Sequence, residues 1–166
     1  MSYSHRIADL QLAERLEAFG AVLIEGPKWC GKTTTAEQMS KSVIKMQDTE
    51  MQEEYAATAA SKPSLLLMGE TPRLIDEWQD APVVDKRQVP GQFILTGSTV
   101  VDRSKIHHSG TGRISRMKML PMSLWESGES NGKISLKELF DNKDLDIDGI
   151  TSDMKIEDLI YAACRG

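Results

Sequence analysis

A glycine-rich segment near the start of the chain has the residue types and the spacing of a phosphate-binding loop. It fits the pattern G-x-x-x-x-G-K-[ST] with the run Gly26-Pro27-Lys28-Trp29-Cys30-Gly31-Lys32-Thr33. The glycines allow a tight turn in which several backbone N–H groups point at one anion. We expect Lys32 to reach the terminal phosphates of a nucleotide and Thr33 to offer its hydroxyl to Mg²⁺. The expected nucleotide contacts are Gly26, Pro27, Lys28, Trp29, Cys30, Gly31, Lys32, Thr33 and Thr34.

The segments on either side of the loop are those that such a loop requires. Ala21-Val22-Leu23-Ile24-Glu25 is typical of a buried strand, and residues 33–42 contain good helix formers with neither Gly nor Pro. A helix that begins at the loop adds the partial positive charge of its N-terminus to the anion site. This context favours a nucleotide site over a chance glycine loop.

Two side chains within the loop matter for experiments. Trp29 would report nucleotide binding through its fluorescence. Cys30 would be open to oxidation or alkylation if the loop exposes it.

Two acidic residues follow the third predicted strand. The apolar pair Leu74-Ile75 is followed directly by Asp76-Glu77. In open α/β sheets, ligands bind beyond the carboxyl ends of the strands. We therefore expect Asp76 to hold Mg²⁺ opposite Thr33, directly or through water, and Glu77 to polarise the water that attacks the γ-phosphate. The alternative interpretation is an acidic turn without a chemical role.

Polar residues after the fourth predicted strand and an arginine before the fifth complete the candidate catalytic set. The hydroxyl of Thr96 or Ser98 would sense the γ-phosphate, and a glycine-ended turn is the alternative. Arg113 follows Gly112 directly. It would complete the active site of a neighbouring subunit, which predicts a homo-oligomer, or it is a solvated arginine in a basic loop.

Short apolar runs alternate with helical segments along the chain. The pattern predicts strands at 21–25, 43–46, 73–77, 92–97 and 114–120, and helices at 9–19, 33–42, 50–60, 136–140 and 156–164. A leucine run between Pro63 and Pro72 fits no one type of element. Strands separated by helices imply an α/β fold with a mostly parallel five-stranded sheet and helices on both faces.

The composition is that of a soluble globular protein of about one domain. The chain has 166 residues, of which 40% are apolar and 27% charged. No apolar run approaches the ~20 residues that cross a bilayer, so we expect no membrane contact. The two cysteines, Cys30 and Cys164, give neither a disulfide framework nor zinc spacing, which favours the cytoplasm.

The net charge of −5 is carried by the C-terminal part of the chain. Residues 1–125 hold 15 Lys+Arg and 15 Asp+Glu, whereas residues 126–166 hold 5 and 10. An acidic segment of this kind argues against nucleic acid binding at that segment, and no pattern in the sequence indicates nucleic acid as a partner.

These motifs together resemble a known family, the prokaryotic AAA-type P-loop ATPases with an N-terminal ATPase domain and a C-terminal domain of unknown function. The similar stretches are Leu74-Ile75-Asp76-Glu77-Trp78-Gln79-Asp80-Ala81-Pro82, residues 91–98 and Leu120-Pro121-Met122-Ser123-Leu124-Trp125-Glu126. The resemblance covers nearly the whole chain and implies an AAA-like three-layer α/β/α fold that binds ATP rather than GTP. It assigns Lys32 and Thr33 to Walker A, Asp76 and Glu77 to Walker B, Thr96 or Ser98 to the sensor, and Arg113 to a candidate arginine finger.

Two features differ from the family pattern. Only residues 83–89 lie between Pro82 and Pro90, room for about two helical turns, whereas a parallel crossover needs roughly a dozen residues. Either this connection is a loop or the third strand pairs abnormally.

The chain stops at Gly166, where family members continue. We therefore expect a P-loop ATPase core over residues 1–126 and, at residues 127–166, an acidic, partly helical segment that is an incomplete lid or the start of a missing domain.

The residues predict ATP binding and Mg²⁺-dependent ATP hydrolysis, with in-line attack by water. A second interpretation is a nucleotide-dependent switch or truncated fragment without turnover, which the short crossover favours. A third is a small-molecule P-loop kinase, which explains Lys32 but not the pair Asp76-Glu77. No residue pattern identifies a protein client.

Overall fold

A five-stranded sheet organises the part of the chain between Arg6 and Pro121. The computed structural model of the protein describes residues 3–78, 89–97 and 113–165. The strands are β1 (Ala21–Glu25), β2 (Ser42–Lys45), β3 (Arg73–Asp76), β4 (Phe93–Gly97) and β5 (Ile114–Lys118). Their order is β2-β3-β4-β1-β5, and each neighbouring pair is parallel. The predicted α/β fold with a mostly parallel five-stranded sheet is confirmed.

Helical segments precede, separate and follow the strands. They are α1 (Ile7–Ala18), α2 (Lys32–Glu37), α3 (Gln52–Ser61), α4 (Leu136–Asp141) and α5 (Ile156–Arg165). The leucine run that the sequence left undecided forms a short 3-10 helix, Pro63–Leu67. Within residues 3–78, 89–97 and 113–165, no helix has both the length and the apolar character needed to cross a membrane.

Helix α2 is shorter than the sequence predicts, because it ends at Glu37 rather than near residue 42. The Ser40 N–H donates to the Ala36 carbonyl at 3.1 Å and closes the last turn. The Lys41 N–H then donates to the Pro72 carbonyl at 2.8 Å, where β2 begins to pair with β3. Pairing with a neighbouring strand thus ends the helix, and the periodicity of one segment contains no information about that contact.

The first face of the sheet, as we call it, carries α1 and α2. Its buried cluster joins Leu12 and Leu16 of α1, Ala36 of α2, and Val22 and Ile24 of β1. The remaining members are Cys30, Leu74, Ile94, Met117 and Met119. Burial of these side chains fixes α2, and the loop that precedes it, against the strands.

The second face is covered, among the described residues, by the 3-10 helix, against which α3 packs. Leu67 of that helix lies in a buried cluster with the strand residues Ala21, Leu23, Ile75, Phe93 and Leu95. Residues of β1 therefore contribute alternately to both clusters, as expected for a strand in the middle of a parallel sheet. Helical segments lie on both faces.

The strand order creates a switch point between β1 and β4. The chain leaves β1 for β2 at the far edge, returns through β3 to β4, and then passes β1 to reach β5. The connections that follow β1 and β4 therefore lead in opposite directions, and ligands of such sheets bind beyond the carboxyl ends of the strands at this point. The glycine loop follows β1, and the acids Asp76 and Glu77 lie at the end of β3, so both are at the carboxyl ends of the strands.

Strand β3 pairs in the ordinary parallel way with both of its neighbours. Leu74 lies opposite Val43 of β2 and opposite Ile94 of β4. The alternative that the third strand pairs abnormally is therefore wrong. Residues 79–88, which form most of the short connection between β3 and β4, lie outside the described residues.

Residues Met122–Gly166, together with Met1–His5, form a second unit. In it, Ser135 begins α4 by accepting a hydrogen bond from the Glu138 N–H at 3.5 Å. Both of its helices expose large apolar side chains, which include Leu136 and Phe140 in α4 and Ile156, Ile160 and Tyr161 in α5. The expected boundary between residues 126 and 127 stays a prediction.

Substituting one buried leucine of α1 should destabilise the fold, while its exposed neighbour should tolerate the same change. Leu12 is 0% exposed and Leu10 is 67% exposed. We expect Leu12→Ala to lower the free energy of unfolding by about 3 kcal/mol through lost burial and a residual cavity. Leu10→Ala should change it by less than about 0.5 kcal/mol. Urea unfolding followed by circular dichroism measures both, and equal effects would contradict the packing of α1 on the first face.

Candidate functional site

The glycine loop leaves β1 and turns into α2 through two residues with left-handed backbone. Trp29 has φ +68° and Gly31 has φ +90°. Glycine adopts this region without steric cost, whereas tryptophan does not. Gly31 is the residue directly before α2, which begins at Lys32. The two left-handed residues give the loop the tight turn that the glycine pattern predicts.

Gly26 is needed because the backbone after β5 passes against it. The Met119 N–H donates to the Glu25 carbonyl at 2.7 Å. A Cβ atom on Gly26 would collide with the Met119 carbonyl oxygen and approach the Cys30 sulfur. Any side chain at position 26 would therefore push the loop away from the end of β5.

Lys32 is buried and folds back over its own loop. Its Nζ donates to the Pro27 carbonyl at 2.8 Å and to the Gly26 carbonyl at 3.1 Å. Its exposed fraction is only 5%. An ammonium group has three N–H donors, and among the contacts of the described residues these bonds use two. The lysine thus places a fixed positive charge at the loop.

One carboxylate oxygen of Asp76 joins the helix after the loop to the fourth strand. Asp76 Oδ1 accepts hydrogen bonds from Thr33 Oγ1 at 2.7 Å and from Thr96 Oγ1 at 2.5 Å. Thr96 is completely buried. Three residues that are far apart in the chain therefore meet at one atom.

The alternation of the strands explains why these side chains meet. Asp76 follows Leu74, and Thr96 follows Ile94, by two positions, so both point to the first face. Helix α2 packs on that face, and Thr33 lies in its first turn. Because β3 and β4 are neighbours, their ends bring the carboxylate and the hydroxyl together under the start of the helix.

Glu77 takes a left-handed backbone conformation that ends β3. Its φ is +55°, which is uncommon for a residue with a side chain. Thr96 holds this turn from both sides, because its hydroxyl accepts from the Glu77 N–H at 3.0 Å and its carbonyl accepts from the Trp78 N–H at 2.8 Å. The predicted strand 73–77 is therefore one residue too long, and Glu77 lies in the turn directly after β3.

The side chains of the loop differ in exposure. Trp29 is 97% exposed, and Pro27, Lys28 and Thr34 are exposed as well. Cys30 is buried, and its sulfur lies 3.8 Å from the Met119 carbonyl oxygen. Oxidation or alkylation would require an exposed thiol, and the thiol of Cys30 is not exposed.

Of the other predicted catalytic residues, one lies outside the described part of the chain and one lies far from the cluster. Ser98 lies outside the described residues, as does Gly112. Arg113 is described and exposed, and it directly precedes Ile114, which lies opposite Ala21 at the start of β1. The loop follows the other end of β1, about 16 Å away for a five-residue strand. Arg113 therefore lies at the amino-terminal ends of the strands, whereas the loop of its own chain lies at their carboxyl ends.

Arg6 contacts the loop and was not predicted from the sequence. Its guanidinium donates to the Cys30 carbonyl at 2.9 Å and to the Leu120 carbonyl at 3.0 Å, and the residue is 8% exposed. A single arginine before an amphipathic helix gives no local signal of such a contact. The partners are 24 and 114 residues away in the chain.

A positive charge lies on the β2 side of Asp76. Lys45 is opposite Asp76 in the sheet, and its Nζ lies 3.0 Å from the Glu37 carboxylate. The hydrogen bond and the charge of Glu37 raise the pKa of Lys45 above its ordinary value, and the charges of Asp76 and Asp48 add to this effect. The lysine therefore stays protonated at neutral pH.

The oxygen atoms at this edge suit a magnesium ion shared with a phosphate. No group of three or more His, Cys, Asp or Glu side chains that could hold a metal occurs in the described part of the chain. Magnesium does not need such a cage, because it binds through one or two carboxylates, water and phosphate oxygens. The carboxylate of Asp76 and the hydroxyl of Thr33, 2.7 Å apart, fit this requirement.

A comparison with protein families matches this chain to one described as AAA domain, over residues 18–127, which is more than half of the chain. No curated protein matches the sequence. The matched residues include the glycine loop, β3 with its two acids, β4 and β5. The chain, with its parallel sheet and its loop between β1 and α2, therefore belongs to the AAA domain family of P-loop nucleotide-binding ATPases.

Proposed function

We propose that the protein binds ATP with Mg²⁺ at the glycine loop and hydrolyses it to ADP and phosphate. Family membership supports nucleotide binding. The observation that carries the finer proposal is the pair of hydrogen bonds at Asp76 Oδ1, from Thr33 and Thr96. The carboxylate comes from the end of β3 and the hydroxyl from the first turn of α2, and together they offer the oxygen ligands that a nucleotide-bound magnesium ion needs.

The loop and Lys32 would bind and orient the phosphates. The first amides of a helix have no partner within the helix, so the N–H groups at the start of α2 are available to phosphate oxygens. The Lys32 ammonium is held at the loop by the Gly26 and Pro27 carbonyls. It therefore needs little reorganisation to donate to a phosphate, and its charge offsets that of the nucleotide.

Asp76 and Thr33 would hold the metal ion, and Glu77 would act on water. A bound Mg²⁺ neutralises the negative charge that develops on the phosphate oxygens. The Glu77 carboxylate would accept a proton from the attacking water as a general base. Its position depends on the turn that Thr96 holds through the Glu77 and Trp78 amides.

The contacts of Thr96 support a positioning role in addition to the predicted sensor role. Its hydroxyl donates to Asp76 and accepts from the Glu77 N–H. One side chain thus fixes both the metal-binding carboxylate and the backbone of the general base. The sensor role of Thr96 or Ser98 stays a prediction.

Self-association through Arg113 belongs to the same proposal. Arg113 is exposed and lies at the amino-terminal ends of the strands, away from the loop of its own chain. An arginine there would act on the nucleotide of another copy and not on its own. The cytoplasmic location stays a prediction as well.

Removal of the Lys32 ammonium should weaken nucleotide binding. We expect Lys32→Ala to lower the affinity for MgATP at least about 10-fold, because a charge-assisted hydrogen bond to phosphate is lost. Lys41→Ala, an exposed lysine outside the loop, should bind like the wild type. Titration calorimetry measures the affinity, and the fluorescence of Trp29 gives a second readout. Equal affinity of the two variants would exclude the loop as the nucleotide site.

Replacement of Glu77 should separate binding from turnover. We expect Glu77→Gln to bind MgATP and to release phosphate about 100-fold more slowly or worse, because a general base contributes that much to the rate. Glu54→Gln on α3, which is exposed, serves as the matched control. Binding without phosphate release in the wild type would favour a nucleotide switch. Loss of ATP only after an acceptor is added would favour a kinase.

Removal of the charge of Asp76 should abolish the effect of Mg²⁺ on ATP affinity. An asparagine oxygen still accepts hydroxyl hydrogen bonds, so Asp76→Asn keeps the acceptor for Thr33 and Thr96 while it removes the negative charge. We expect wild-type protein to bind ATP more tightly with Mg²⁺ than with EDTA, and Asp76→Asn to bind equally in both. Asp48→Asn, an exposed control, should keep the difference. A Mg²⁺ effect that survives in Asp76→Asn would contradict the assignment.

A further inference from the structure

We propose that Arg6 is a positioning residue of the nucleotide site, which orients the Cys30–Gly31 peptide so that the Gly31 N–H is directed into the loop. The inference rests on the proposed nucleotide binding. It assigns to a residue outside every motif an effect on the affinity for phosphate that acts through the loop peptide.

The first step is the contact itself. Arg6 Nη1 donates to the Cys30 carbonyl at 2.9 Å in a buried environment, and Arg6 Nη2 donates to the Leu120 carbonyl at 3.0 Å. The planar guanidinium thus joins the loop to the segment that follows β5. Two donors at a fixed angle define the direction of both carbonyls, which a single flexible donor would not do.

The second step follows from the geometry of the peptide bond. The carbonyl of Cys30 and the N–H of Gly31 belong to one trans peptide, and they point in opposite directions. Because the carbonyl points at Arg6, the N–H points away from Arg6. The charge of the guanidinium also polarises the peptide and makes its N–H a stronger donor.

The third step concerns the fit between Arg6 and Gly31. A Cβ atom on Gly31 would lie 3.2 Å from Arg6 Nη1, and Gly31 has φ +90°. The guanidinium therefore packs directly on the glycine whose left-handed conformation leads into α2. The peptide that Arg6 holds directly precedes the Gly31–Lys32 peptide, at which α2 begins, so its orientation also affects the start of the helix.

The backbone of Arg6 is fixed as well. Its N–H donates to Asp9 Oδ2 at 2.9 Å, and its carbonyl accepts from the Asp9 N–H at 3.0 Å. These two bonds secure the start of α1, which packs through Leu12 and Leu16 on the first face. The guanidinium is therefore presented from a rigid element.

The chain offers a matched control in Arg15. It lies on the same helix, and its Nη1 donates to Ser115 Oγ of β5 at 2.7 Å. Arg15 also joins α1 to the sheet, but its hydrogen bond goes to the strand β5 and not to the loop. A variant of Arg15 therefore removes an interelement contact of α1 without touching the Cys30–Gly31 peptide.

Calorimetric titration with MgATP of the full chain tests the inference, at a temperature at which thermal unfolding shows each variant to be folded. We expect Arg6→Gln to weaken binding about 10-fold or more, since hydrogen bonds from a charged donor are lost. Arg6→Lys keeps the positive charge but not the planar pair of donors, and it should also lose affinity. Arg15→Gln should bind like the wild type even where it lowers the melting temperature.

Nuclear magnetic resonance of the nucleotide-free protein gives an independent readout. The Gly31 amide resonance should move in both Arg6 variants and stay in place in Arg15→Gln. If Arg6→Gln does not fold, Arg6→Lys alone decides the question through the same two measurements.

Each remaining outcome overturns the inference. Wild-type affinity in either Arg6 variant would show that the paired hydrogen bonds of Arg6 are not what orients the peptide. An equal loss in Arg15→Gln would show that the effect is general destabilisation of α1. A flat wild-type titration would overturn the proposed nucleotide binding and this inference together, and it is distinguished from the other two because it involves no variant.

Discussion

The carboxylate of Asp76 is the point on which the candidate site depends. Its Oδ1 accepts one hydroxyl from the helix after the loop, that of Thr33, and one from the neighbouring strand, that of Thr96. Hydrogen bonds to an ionised group are stronger than those between neutral groups. This carboxylate therefore fixes α2 to β3 and β4 while it keeps the oxygens that suit a magnesium ion at the edge of the sheet.

The loop is held from its other side by the segment after β5 and by the start of α1. The Met119 backbone lies so close to Gly26 that a side chain there is excluded, and Arg6 joins the carbonyls of Cys30 and Leu120. A phosphate-binding loop acts through the directions of its amides, so it benefits from rigid support on both sides. In this protein the support comes from a partly buried carboxylate and a buried guanidinium that lie far apart in the chain.

Much of the fold follows from the sequence. Short apolar or alternating segments between helical segments predict a mostly parallel sheet of five strands, and each strand begins and ends within two residues of its predicted bounds. The errors have specific causes. Helix α2 ends early because Lys41 already pairs with Pro72, and β3 ends at Asp76 because Glu77 turns into the left-handed region. Both depend on a neighbouring strand that local periodicity does not include.

The sequence by itself determined what kind of site this is. The spacing of the glycines, Lys32 and Thr33 is a local pattern with a direct chemical meaning, and so is the pair of acids that follows two apolar residues. Only the tertiary structure decided that Thr96 supports both Asp76 and Glu77. It also decided that Cys30 is buried and that Arg6 contacts the loop. It placed Arg113 at the amino-terminal ends of the strands, away from the loop. These facts are set by hydrogen bonds and packing between strands and helices distant in the chain, and such contacts leave no periodic trace in the residues that make them.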